Sequence, residues 1–156
     1  MKFHYHYRNT TLELWQLSMY YIYGSLIGVC NLIFTGAMFA LVYSKWSVSD
    51  TFFRILMIVG CCLFTVFQPV SAYRKAAKQA ASIKEDTDIG FDDTGMYLKV
   101  GEKSSRIRWN QIKRISKKPT MVVIFSDTAH GYVLTDRILG ADKASFYDFI
   151  ASKIQK

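Results

Sequence analysis

The sequence predicts an α+β membrane protein: a two-helix transmembrane hairpin, then a small antiparallel β-sheet domain closed by a carboxy-terminal α-helix. Three observations predict it. No Asp, Glu, Lys or Arg occurs from Leu14 to Ser44, nor again from Ile55 to Tyr73, and each run is close to the roughly 20 residues that span a hydrocarbon core about 30 Å thick. Beyond Tyr73 charge returns and apolar residues alternate as in strands. The last segment reverts to a helical period, which leaves it free to cover the apolar face of those strands.

Charge follows the same partition. Residues 1–70 hold four Lys/Arg and two Asp/Glu, while residues 71–156 hold sixteen and ten, so most of the +8 formal charge lies in the second half. A basic region beside a bilayer is drawn to anionic headgroups, by about 1 kcal/mol per basic residue near the surface. Acidic residues are interspersed and no nucleic-acid-binding motif accompanies the charge, which argues against nucleic acid. Cys30, Cys61 and Cys62 all fall in the apolar runs and read as packing residues, without the even count of a disulfide framework or the spacing of a zinc site. The first run starts late and is followed by a second, as expected of a retained helix and not of a cleaved signal.

In chain order, residues 1–18 read as a cytoplasmic or interfacial segment. His4 and His6 alternate among Phe3, Tyr5 and Tyr7, a spacing that puts both on one face of a strand; without a third ligand they read as strand or interface residues more readily than as a metal pair. Thr10 and Glu13 have capping-box spacing, so a helix should begin there, with Trp15, Tyr20, Tyr21 and Tyr23 at headgroup level. Residues 19–71 form the hairpin, with spans at about 19–43 and 52–70. Gly24 and Gly28, continued by Gly36 and Ala40, form a small-residue stripe suited to helix packing, within the chain or between copies. Asn31 is the strongly polar side chain of mid-span and should face another helix.

The connector SKWSVSDTFF is short and makes the spans antiparallel. Gln68 and Pro69 mark a kink or a stop. Lys2 and Arg8 before the first span, with Arg74, Lys75, Lys78 and Lys84 after the second, outnumber Lys45 and Arg54 in the connector. That asymmetry places both termini in the cytoplasm. Residues 72–86 read as a basic helical linker whose Arg74, Lys75 and Lys78 lie where lipid phosphates are.

Residues 87–156 read as the cytoplasmic domain. DIGFDDTGMYLKV is two strands joined at Asp92-Asp93-Thr94-Gly95, with Gly95 expected to supply a positive φ. SRIRWNQI puts Ile107 and Trp109 on one face, Arg106 and Arg108 on the other, and becomes irregular at Asn110-Gln111. IKRIS follows with the same alternation, carrying Lys113 and Arg114 and placing Ile112 and Ile115 inward. Lys117-Lys118-Pro119 reads as a turn, TMVVIFS as the central strand, and GYVLTD as the last. From about Ala141, Phe146, Phe149, Ile150 and Ile154 share a helical stripe.

These residues carry a resemblance. FDDTGMYLK, SRIRWNQIKRISKKPTMVVIFSDTAHGYVLTDRIL and FYDFI, preceded by a two-helix hairpin, resemble the YcxB-like proteins, a bacterial membrane family whose carboxy-terminal domain is similar to pleckstrin-homology-like (PH-like) folds. The family pattern has Pro and Lys before the Arg preceding the last helix, where this chain has Thr135 and Asp136 before Arg137. The resemblance implies a PH-like domain at the inner cell membrane and no catalytic residues.

The residues themselves show no nucleophile elbow, no Gly-rich phosphate loop and no carboxylate pair in an apolar setting. Asp127, His130 and Asp136 cluster near one turn, where Asp and His are common for turn reasons. The expectation is a non-enzymatic protein without cofactor or metal. Its domain would bind an anionic membrane surface or a protein partner through Arg106, Arg108, Lys113, Arg114, Lys117 and Lys118. An alternative is an accessory subunit of a transporter or secretion assembly, acting through Gly24, Gly28 and Asn31, or a homo-oligomer; a membrane-anchored enzyme ranks third.

Overall fold

The computed structural model describes residues 2–127 and 131–154. The chain divides into two units, residues 10–82, all helical, and residues 1–9 with 83–156, built on strands.

The helical unit opens as its capping box dictates. Thr10 accepts from the Glu13 backbone N–H at 3.3 Å and its own N–H donates to the Glu13 carboxylate at 2.8 Å, starting α1, Thr11–Tyr23. One long helix was expected from here to about residue 43. Instead α1 ends at Gly24, and Ser25 caps a second helix, α2, Leu26–Lys45, by accepting from the Gly28 N–H. The 14–44 run is uncharged throughout, so its charge pattern carries no sign of the break; the signal is the local pair Gly24-Ser25. Asp50 caps α3, Thr51–Cys62, by accepting from the Phe53 N–H at 3.0 Å.

Gln68 and Pro69 do not stop the chain. A π-helical turn, Leu63–Phe67, leads into α4, Gln68–Ser82. Proline has no N–H for the ordinary ladder, and the wider turn just before it, with the Gln68 N–H bonded to the Leu63 carbonyl, carries the helix past the gap. Trp15 Nε1 donates to the Pro69 carbonyl at 3.1 Å, tying α1 to α4 along the buried Ala72 and Ala76. Leu26–Lys45 and Thr51–Ser82 are each long and apolar enough to cross a membrane. Only 11% and 22% of their most apolar stretches are buried, whereas the core helix of a soluble domain would be mostly covered.

The strand unit begins at the amino terminus. β1, Phe3–Tyr7, pairs antiparallel with β2, Thr87–Phe91, with Tyr7 opposite Thr87. β3, Gly95–Val100, and β4, Lys103–Arg108, complete a four-stranded sheet in the order β1-β2-β3-β4. A 3-10 turn, Trp109–Gln111, leads to a three-stranded sheet of β5, Arg114–Lys118, β6, Met121–Phe125, and β7, Gly131–Thr135. β6 is central, as its apolar sequence indicates. A short α5, Asp136–Leu139, precedes α6, Lys143–Ile154.

Several local expectations change. The amino-terminal residues are a strand of the sheet domain and not a separate interfacial segment. The sheet is two sheets. Lys117 and Lys118 end β5, and the turn falls after them at Pro119-Thr120. Gly95 has no positive φ; the β3–β4 turn has one at Gly101, φ 58°. The β2–β3 turn is held by Asp92, whose Oδ1 accepts from Thr94 N and Oγ1 and from Gly95 N at 2.6–3.0 Å, so it needs no left-handed residue.

α6 covers the core as expected. Phe146 is fully buried and its ring lies 4.8 Å from Phe91, 5.4 Å from Phe3 and 5.7 Å from Tyr5. Trp109 packs against Phe91 and Phe149 and donates Nε1 to the Asp92 carbonyl at 3.1 Å.

Candidate functional site

The basic residues singled out from the sequence fall in two groups, one in each unit. On α4, Arg74, Lys75 and Lys78 are exposed and lie on one face, because positions three and four apart coincide on a helix. The opposite face, Ala72 and Ala76, is buried. In the strand unit, Arg106 and Arg108 lie on β4 and Arg114, Lys117 and Lys118 on β5, with Lys113 between. Both strands are sheet edges, each hydrogen-bonded on one side only. Consecutive in sequence and joined by one short turn, they form the most basic part of the domain. From Lys103 to Ser126 there are seven Lys/Arg and no Asp or Glu.

These cations are not equivalent. Arg106 reaches across the sheet to Asp92, Nη2 to Oδ2 at 2.8 Å, and also contacts the Thr94 hydroxyl. The hydrogen bonds from Thr94 and Gly95, with Arg106 nearby, hold the Asp92 carboxyl below its ordinary range. Arg106 therefore secures the β2–β3 turn as well as contributing charge. The Arg114 guanidinium lies 4.4 Å from the centre of the Phe125 ring and the Lys117 ammonium 5.0 Å from that of Tyr147, contacts that orient a cation without neutralising it. Arg108 and Lys113 are exposed and form no ion pair among the described residues.

The residues expected to pack helix on helix are used inside the chain. Asn31 is buried and donates Nδ2 to Gln68 Oε1 at 2.9 Å, joining α2 to α4. The sequence marks Gln68 only as part of a kink or a stop; as a polar residue in an uncharged run it is also a partner for Asn31. Gly24 and Gly28 do not form a stripe on one helix. Gly24 ends α1, and Gly28 sits in the first turn of α2 against the Ile22 carbonyl and Tyr23. Gly36 faces open space.

His130, one of the three residues near the β6–β7 turn, lies outside the described residues. Of the other two, Asp136 pairs with Lys143 at 2.6 Å, and the exposed Asp127 also has an interaction of its own. His6 bridges two strands: Nδ1 lies 2.6 Å from Asp88 Oδ1 and Nε2 3.4 Å from Asp86 Oδ2, while Arg8 Nε donates to Asp86 at 2.8 Å. The hydrogen bond with Asp88, with the charge of both aspartates, raises the His6 pKa above 6.5. A raised pKa adds stability that is fully present below pH 6.5 and is lost as pH rises through the new value. Amide exchange of β1 should therefore accelerate as pH rises from 6.5 through the raised pKa, beyond the intrinsic pH effect, and His6→Ala should remove that excess.

Residues 91–150 match the family model described as YcxB-like protein. No curated protein and no solved structure matches the chain. The likeness to the YcxB-like family read from FDDTGMYLK, SRIRWNQI and FYDFI thus holds for the segment from the end of β2 into α6.

Proposed function

We propose that this is a non-enzymatic protein of the inner cell membrane, whose helical unit is an anchor and whose strand unit is a PH-like domain that binds the anionic cytoplasmic surface. The carrying observation is the acid-free stretch from Lys103 to Ser126, set on two sheet edges consecutive in sequence, with Arg108 and Lys113 in no ion pair among the described residues. Seven strands in a four-plus-three division with a covering carboxy-terminal helix support the PH-like reading. Exposed apolar side chains along α2 and α3, among them Leu26, Ile33, Phe39, Phe52 and Ile55, support the anchor, since such a surface suits lipid better than water.

Connectivity supports the topology. β1 and β2 are neighbours in one sheet although the helical unit separates them in sequence. Both ends of the helical unit thus lie on the same side of any membrane it enters, and it crosses an even number of times. With more basic residues flanking the hairpin than inside its connector, that side is the cytoplasm.

No specific observation favours an accessory subunit acting through the hairpin, because Gly24, Gly28 and Asn31 are already engaged within the chain. The test uses the β1–β2 pairing. Replacing residues 10–82 by a short Asn-Gly turn converts two paired strands into a hairpin and yields a soluble domain. It should sediment with phosphatidylglycerol vesicles at low salt, remain in solution with phosphatidylcholine, and be released near 0.5 M salt, where screening is short-ranged. Indifference to lipid charge would reject surface binding and leave a protein partner.

A further inference from the structure

We propose that the groove between α1 and α4 holds one anionic phospholipid, with its phosphate on Lys75. The proposal rests on the membrane reading of the helices. The groove has a volume of about 460 Å³. Leu17, Ser18 and Tyr21 form one wall and Gln68, Ser71 and Lys75 the other.

Its lining contains one cation and no carboxylate, a charge complementary to an anion; of its hydroxyls, Ser18 Oγ donates to the Leu14 carbonyl at 3.0 Å and Tyr21 has an interaction of its own, while Ser71 stands beside Lys75. Ser71 and Lys75 stand four residues apart on α4, so hydroxyl and ammonium face the same way and can meet one phosphate with charge-assisted hydrogen bonds. Gln68 Oε1 is occupied by Asn31, which leaves its Nε2 as a donor on the groove wall. Lys75 forms no ion pair among the described residues.

The groove is also graded. Gln68 closes the apolar part of the helix and Lys75 lies seven residues on, about 10 Å at a rise of 1.5 Å per residue. The interfacial layer on each side of the hydrocarbon is about 5–8 Å thick. The Gln68 end therefore meets the hydrocarbon boundary when Lys75 is at phosphate level. Leu17 and Ile22 give the lining an apolar surface that suits an acyl chain and not a free phosphate ion. The occupant is an amphiphile with an anionic head.

The full chain, purified in detergent, should retain one phosphatidylglycerol in native mass spectrometry and bind phosphatidylcholine about tenfold less tightly, or weaker still. Lys75→Gln should weaken phosphatidylglycerol binding about tenfold, while Lys84→Gln, which removes one exposed positive charge beyond α4 and outside the groove, changes it less than twofold. Equal losses in the two variants would show diffuse surface charge and overturn the site, as would equal affinity for phosphatidylcholine. Displacement of the lipid by millimolar inorganic phosphate would show a free-anion site and overturn it too. If the wild-type chain fractionates with membranes yet holds no lipid, this inference fails and the membrane reading stands; if it does not fractionate with membranes, both fail.

Discussion

Deleting residues 2–9 is expected to unfold the strand unit while leaving its own sequence, residues 83–156, intact. Phe3 and Tyr5 place their rings within 6 Å of Phe146, and Tyr7 is buried in the same core. Truncating one buried aromatic side chain typically costs about 3–5 kcal/mol. Losing three at least half-covered ones together with the β1–β2 ladder is of the order of the whole stability of a small domain, about 5–15 kcal/mol. The check is limited proteolysis of the deletion variant beside the full chain: in the variant, residues 83–156 should become as sensitive as an unfolded segment. Unchanged resistance would show that the amino-terminal strand is dispensable.

The second large effect is expected at Gly28. A Cβ there would lie 2.5 Å from the Ile22 carbonyl oxygen and 2.6 Å from Tyr23 Cα. Both are backbone atoms, so the corner between α1 and α2 must open to admit a methyl group. Gly28→Ala should cost about 2–4 kcal/mol. Gly36→Ala meets nothing within 4 Å and should be neutral or stabilising by up to about 1 kcal/mol through helix propensity. Thermal unfolding of the two variants in detergent checks the pair. If Gly28 and Gly36 were parts of one packing stripe, both substitutions would harm the protein alike.

What was legible in the sequence was local. Thr10 and Glu13 are three residues apart and settle a helix start by themselves. The alternation of Ile107 with Arg106 and Arg108, and the stripe of Phe146, Phe149 and Ile150, each report one face of one element. What escaped depends on partners far along the chain. Nothing in FHYHY says that it pairs with TDIGF some eighty residues later, because a half-buried edge strand and an interfacial segment share the same aromatic alternation. The break at Gly24-Ser25 was hidden by apolar neighbours on both sides, which satisfy a spanning-helix pattern whether or not the helix is continuous. The sequence points to Gly95 for the positive φ because DDTG has the form of a glycine-dependent turn; Asp92 supplies that turn's hydrogen bonds, and Gly101 carries the positive φ one turn later. The basic side chains were legible as charge, but not the tie between Arg106 and Asp92 or the ring contacts of Arg114 and Lys117.

The central claim is a helical hairpin inserted between two neighbouring strands of one cytoplasmic domain, so that both flanks of the hairpin lie on one side of the membrane. Single cysteines at Lys2, Ser47 and Glu102, in a chain whose Cys30, Cys61 and Cys62 are replaced by Ala, test it in intact cells with a membrane-impermeant maleimide. The account expects Ser47→Cys to be labelled from outside, and Lys2→Cys and Glu102→Cys only after permeabilisation. Labelling of Lys2→Cys and Glu102→Cys from opposite sides, or of all three from the same side, would contradict it.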